Sequence, residues 1–159
     1  MSRTGPAVQD SYPEDVAHCF GCGRLNEDGH QLKTVWEGDV TVSRFQPRAH
    51  HTAIPGYVYG GLIASLLDCH GTAAAAAAAL RREGRAIGDG EAPRFVTASL
   101  QVDFLKPTPL GPELVVRGTI EEITDRKVAL DETLSADGVV TARGRVVAVR
   151  MPESMISSL

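Results

Sequence analysis

The sequence predicts an α+β chain: one long central helix beside a mostly antiparallel sheet of about six strands. Two observations predict it. The apolar stretch from about Gly60 to Glu83 contains seven consecutive alanines, Ala73 to Ala79, and alanine is the strongest helix former. Most of the remaining chain after His30 falls into short β-prone runs separated by Gly, Pro and Asp turns. Links this short favour hairpins, and hairpins make antiparallel sheets.

The elements follow in order. Leu32, Val35 and Trp36 precede Glu37-Gly38-Asp39, and Val40, Val42 and Phe45 follow it, which reads as a hairpin. Gln46 to Gly56 holds two prolines and two histidines and reads as a loop. The helix comes next. Gly84, Gly88 and Gly90 stop it, and Arg81, Arg82 and Arg85 suit the negative end of its dipole. Leu100, Val102 and Phe104 alternate with polar neighbours, a strand with one buried face. Leu114 to Ile123, Val128 to Leu134 and Val139 to Met151 give three more strands, with turns at Asp125-Arg126 and Ala136-Asp137-Gly138.

The chain has 159 residues, enough for one domain and too few for two ordinary ones. Residues 1–17 are polar and Pro-containing and read as a flexible N-terminal arm. Residues 18–151 form the single domain, and 152–159 a short C-terminal tail. Lys and Arg total 16 against 20 Asp and Glu, a net charge of −4, which argues against nucleic acid as the main partner. The most apolar run, Leu62 to Leu80, is broken by Ser65, Asp68, His70 and Thr72 and does not read as a membrane span. The first fifteen residues lack the apolar core of a secretory signal. Three cysteines at low density then favour reduced thiols and a cytoplasmic protein. Ser157-Ser158-Leu159 lacks the central basic residue of a peroxisomal tripeptide and is not read as one.

A helix that is small and apolar on most faces must be covered on most faces. A curved sheet can wrap it and a second copy of the helix can lie against it, which argues for a dimer. Two-residue spacing turns His70 roughly 200° around the helix from Asp68, so the two should not share a face.

Three stretches carry a resemblance. Between His51 and Asp68 the chain has Pro55-Gly56, Tyr59-Gly60-Gly61, an apolar helical stretch and then the acid. Thr97 to Gly111 is a strand closed by Pro107, Pro109 and Gly111. Cys19-Phe20-Gly21-Cys22-Gly23 is followed by Asn26 and Gly29. In this order they resemble the hotdog fold, and within it the acyl-CoA thioesterases of the 4-hydroxybenzoyl-CoA and phenylacetate-degradation, PaaI-like, type. The resemblance covers roughly residues 18–150. It implies a curved sheet wrapped around the central helix. It also implies an acyl-CoA substrate with no cofactor, and a homodimer whose dimers pair in turn. The pattern departs at one place: the family's His before Gly-Gly is Tyr59, a poor base near neutral pH.

Thioester hydrolysis needs a polarised carbonyl and an activated water or a carboxylate nucleophile. Free N–H groups at a helix start can hold an oxyanion, and glycine lets the substrate approach them. Gly60 and Gly61 are placed for this, with Gly60 as donor. Asp68 supplies the carboxylate. On residues alone it either faces solvent or serves chemistry; the resemblance favours chemistry. Eight residues of helix separate it from Gly60, about 12 Å, so one carbonyl cannot touch both. Composite sites follow, with Gly60 of one chain facing Asp68 of another.

Tyr59, His51 and Thr97 are further substrate-site candidates. His51 matches a loop histidine of some relatives, and Thr97 a polar strand residue that faces the helix. Cys19-x-x-Cys22, with His18 and His30 near, lacks the second pair of a structural zinc site, so no metal is expected, and Cys69 reads as a small core residue. Arg81, Arg82, Arg85 and Arg94 read as helix-end charge rather than coenzyme A contacts; Lys106, Arg126 and Lys127 have no better case. Two other functions compete: a hotdog dehydratase or hydratase using His51 and Asp68, and an acyl-thioester binding protein without turnover.

Overall fold

The computed structural model describes residues 5–156. Residues 1–4, the start of the expected arm, and Ser157-Ser158-Leu159 lie outside the described residues. The strands are β1 (Thr34–Glu37), β2 (Val40–Phe45), β3 (Phe95–Phe104), β4 (Leu114–Ile123), β5 (Lys127–Ala136) and β6 (Val139–Arg150). The helix α1 (Gly60–Arg82) lies between β2 and β3, and a short α2 (Glu153–Ile156) follows β6. The six strands form one sheet in the order β1-β2-β4-β5-β6-β3. Every pairing is antiparallel. The β5–β6 turn uses Asp137 and Gly138, both at positive φ (50° and 77°), the backbone a tight hairpin requires.

α1 lies across one face of this sheet, and small residues set the distance. A Cβ on Gly71 would overlap Val146 of β6, so helix and sheet meet there at backbone range. Ala73 to Ala79 are all buried. Their cover differs from the expectation. Residues 5–17 are not a mobile arm: Ala7, Val8, Tyr12 and Ala17 are buried, and Val8, Tyr12 and Ala17 join the alanines in one apolar cluster. The alanine run exposes apolar surface that the N-terminal segment can remove from water. The chain therefore covers these alanines itself, and they give no reason for a second copy. By length and composition α1 is apolar enough to cross a membrane, yet 83% of its most apolar window is buried in the fold.

Two regions stay open. The first half of α1 leaves Gly60, Gly61, Ala64, Ser65 and Asp68 partly or fully exposed, a stripe at helical spacing. β3 is an edge strand paired only through β6, and Thr97 to Gln101 are exposed on both faces. Its alternation was expected to mark a buried face. Leu100 and Phe104 instead remain uncovered within one chain.

Candidate active site

The loop before α1 is pinned at several points. The Tyr59 N–H donates to the His51 carbonyl at 2.9 Å, and the Val58 N–H to the Thr108 carbonyl at 2.8 Å. Tyr59 is the N-cap but makes no side-chain cap bond. The Leu62 and Ile63 N–H groups both reach the Tyr59 carbonyl. Among the described residues the N–H groups of Gly60 and Gly61 have no acceptor, and they sit at the positive end of a 23-residue helix. The Tyr59 ring folds over Gly61, where any Cβ would strike it. Gly60 is roomier: a Cβ there meets only the edge of the Phe104 ring, at 3.5 Å.

Asp68 lies two turns further along α1, about 12 Å from Gly60 along the axis. It is neither fully solvated nor in the core. Thr97 Oγ1 donates a hydrogen bond to Asp68 Oδ1. A bulge positions Thr97: Thr97 pairs with Ala148 and Ser99 with Val147, leaving Ala98 extra. The structure thus brings together Asp68 and Thr97 in one place, and Tyr59, Gly60 and Gly61 in another.

His51 belongs to the second place only by its backbone. Its ring packs with His30, Phe45 and His50 and accepts a hydrogen bond at Nδ1 from the Arg48 N–H at 2.9 Å. These rings line a cleft of about 480 Å³. Burial pushes the His30 and His51 imidazoles below their ordinary range, and His50 adds to it.

Glu132 was not singled out in the sequence. It stands on β5 between Gly118 of β4 and Gly144 of β6. It is 2% exposed, and among the described residues both carboxyl oxygens lack a hydrogen-bond partner. Burial first, and the Asp68 charge second, push its carboxyl well above the usual range. Its position in a run with Leu130 and Leu134 was the available signal, since a carboxylate on a buried strand face is costly.

His70 does leave the face of Asp68, as its spacing predicts. It is fully buried, with Ser43 Oγ at 2.6 Å from Nδ1 and Thr41 Oγ1 at 2.9 Å from Nε2. Thr41 Oγ1 donates to the Gly118 carbonyl, so Nε2–H must donate to Thr41. Ser43 then donates to Nδ1, Thr34 to Ser43, and Gln9 Nε2 to Thr34. This directional chain fits a neutral imidazole, and burial holds its pKa down at about 3.

The arginines at the helix end are occupied. Arg81 lies over the Trp36 ring at 3.5 Å and bonds the Gly38 carbonyl; Arg82 pairs with Asp125, and Arg85 with Glu83. Arg94 sits over the Tyr12 ring instead. The Cys19-x-x-Cys22 turn meets a partner the sequence did not suggest: Cys69, reached from α1. His18 and His30 are not part of that group.

One helix wrapped by a six-stranded antiparallel sheet, with a Gly-Gly helix start and a carboxylate on the open stripe, defines a hotdog-fold protein. Residues 55–138 match the thioesterase superfamily. A thioesterase superfamily protein from Shewanella loihica has the same fold, with a TM-score of 0.68 and 48% identity, covering 87% of this chain and 97% of that one. Escherichia coli PaaI, of the phenylacetic acid degradation operon, is similar in fold alone: TM-score 0.61, 16% identity, 77% of this chain and 81% of that one. The mouse acyl-coenzyme A thioesterase THEM4 is 34% identical over 97 residues, 60% of this chain and 36% of the mouse protein. The chain spans between 33% and 41% of the length of the curated relatives it matches. The chain belongs to the thioesterase superfamily.

Proposed function

We propose that this protein hydrolyses an acyl-CoA thioester to the free acid and coenzyme A, at sites composed from two copies of the chain. The observation that carries this reading is the open stripe of α1. It presents Gly60 and Gly61 N–H groups, unpaired among the described residues, at one end and the Thr97-bound Asp68 carboxylate at the other. They are about 12 Å apart on a rigid helix, too far for one carbonyl. Two α1 helices packed antiparallel across a two-fold axis bring Gly60 of one copy beside Asp68 of the other. The free edge of β3 and the uncovered Leu100 and Phe104 support pairing on this side.

The chemistry then needs no cofactor. Asp68 takes a proton from water as the water oxygen attacks the thioester carbonyl, and the developing oxyanion is held by the Gly60 N–H and the helix dipole. The tetrahedral intermediate collapses with loss of the coenzyme A thiolate. That thiolate, of pKa about 8.5 as for an ordinary thiol, leaves readily and takes up the proton held by Asp68. Attack by the Asp68 carboxylate itself uses the same geometry, with water then cleaving the mixed anhydride. Tyr59, Gly61 and His51 are the proposed substrate contacts; Thr97, expected among them, is proposed instead to position Asp68 through its hydrogen bond.

The test is thiol release from short, long and aromatic acyl-CoAs by wild type and Asp68→Asn. Turnover of some member, with a loss of about 10²-fold or more in the variant, is expected. Binding of acyl-CoA with no release from any member rejects hydrolysis in favour of a binding protein.

A further inference from the structure

Cys19, Cys22 and Cys69 are the chain's three cysteines, and the fold gathers all of them. Their sulfurs lie within 4.8 Å of one another, and none is in a disulfide. Cys19 Sγ and Cys69 Sγ are 3.8 Å apart. Two thiolates bound tetrahedrally at Zn–S of about 2.3 Å stand about 3.8 Å apart. The Cys19–Cys69 pair is therefore already at the spacing of a shared metal, and Cys22 Sγ lies within 4.8 Å of both.

The turn that carries two of them is braced from several directions. The Gly23 N–H bonds the Cys19 carbonyl at 2.7 Å, the Leu25 N–H the Ala17 carbonyl at 3.1 Å, and the Leu32 N–H the Gly21 carbonyl at 3.1 Å. Both glycines are demanded by closeness. A Cβ on Gly21 would overlap Cys69 Sγ, and one on Gly23 would overlap the backbone at Cys19. The Cys-Phe-Gly-Cys-Gly segment is thus shaped around Cys69, not merely around its own turn.

A second, independent observation points to a ligand. Among the described residues the Tyr12 hydroxyl is buried, at 2% residue exposure, without a hydrogen-bond partner. A buried orphan hydroxyl on the segment that leads into the cysteine turn is costly unless a bound group or water satisfies it. Arg94 lies over the Tyr12 ring at 4.7 Å.

We propose that Cys19, Cys22 and Cys69 bind one zinc(II) ion as thiolates, with the fourth position taken by a water. Soft sulfur donors in a roughly tetrahedral set select this ion over magnesium or calcium. The site is structural. It fastens the N-terminal segment to α1 at the residue next to Asp68, and it stands whether or not the chain hydrolyses thioesters.

The experiment uses the full chain, purified, reduced with a phosphine and stripped with a chelator. Cobalt(II) is the probe, because a thiolate ligand gives it a strong near-ultraviolet charge-transfer band. The expected result is one cobalt per chain with that band, displaced by zinc, and a Tm raised by zinc. Cys19→Ser is the preferred variant, since Cys19 is only half-buried; its band and zinc-dependent Tm shift should fall several-fold while circular dichroism shows the fold retained. Cys22→Ser is the second variant. A reduced wild-type chain that binds no cobalt, or that binds it without a charge-transfer band, overturns the proposal. So does an unchanged band in both serine variants.

Discussion

Thr97 Oγ1 donates a hydrogen bond to Asp68 Oδ1, joining the bulge of the edge strand to the helix carboxylate. Thr97 is thereby a positioning residue for the proposed base. A hydrogen bond to a charged group contributes about 1.5–3 kcal/mol, so losing it should cost at least about tenfold in kcat. Thr97→Val keeps the shape and removes the hydroxyl. The expected outcome is a kcat loss of that size with KM nearly unchanged, and recovery in Thr97→Ser. A rise in KM with kcat unchanged would make Thr97 a binding contact only.

Gly60 and Gly61 are neighbours with different reasons to be glycine. Within one chain a Cβ at Gly60 meets only Phe104 at ordinary contact distance, whereas one at Gly61 collides with the Tyr59 ring. Gly60→Ala should therefore fold with an unchanged or higher Tm, because alanine favours helix by about 0.5–1 kcal/mol. Its kcat/KM should nonetheless drop by about 10²-fold, because the substrate carbonyl can no longer approach the backbone closely. Gly61→Ala should lower Tm as well, since Tyr59 must move. Thermal melts beside steady-state kinetics separate the two.

The strand borders were legible because period and turn chemistry are local. Asp137-Gly138 and the alanine run define their own neighbourhoods. What covers a face is not local. Leu100 and Phe104 alternate like core residues and lie on an uncovered edge, because alternation records an apolar face and not its partner. Val8 and Tyr12 looked like part of an arm because their partners are alanines some seventy residues further on. The polar groups divide in the same way. Gly60, Gly61 and Asp68 of the proposed site fall on a contiguous helix and are legible in sequence, while the surroundings of Glu132 and the meeting of Cys69 with Cys19, outside that site, depend on long-range packing.

His70 should show itself in acid. Its folded pKa is near 3 against about 6.5 for an ordinary imidazole, so the unfolded chain binds more protons between these values. Stability from this group is complete above about pH 6.5 and falls as pH drops towards 3, on the order of 1 kcal/mol per pH unit. His70→Gln removes the titration while breaking part of the network through Ser43 and Thr41. It should be less stable than wild type at pH 7 and lose less on acidification. Urea unfolding at several pH values between 4 and 7 reads both; parallel pH dependences would reject the assignment.

Glu132 should act with the opposite sign. Its folded carboxyl is raised far above the ordinary value of about 4.3, by burial and then by the Asp68 charge, so the folded chain binds the extra proton. Stability from this group is complete below about pH 4.3 and declines as pH rises towards the folded pKa. Glu132→Gln preserves the shape and stays neutral throughout. Its Tm should match wild type near pH 4 and exceed it increasingly towards pH 8. Because Asp68 contributes to the shift, the advantage should shrink when the substitution is made in Asp68→Asn, whose neutral amide no longer opposes ionisation of Glu132. Full additivity of the two substitutions at pH 8 would show that burial alone keeps Glu132 protonated.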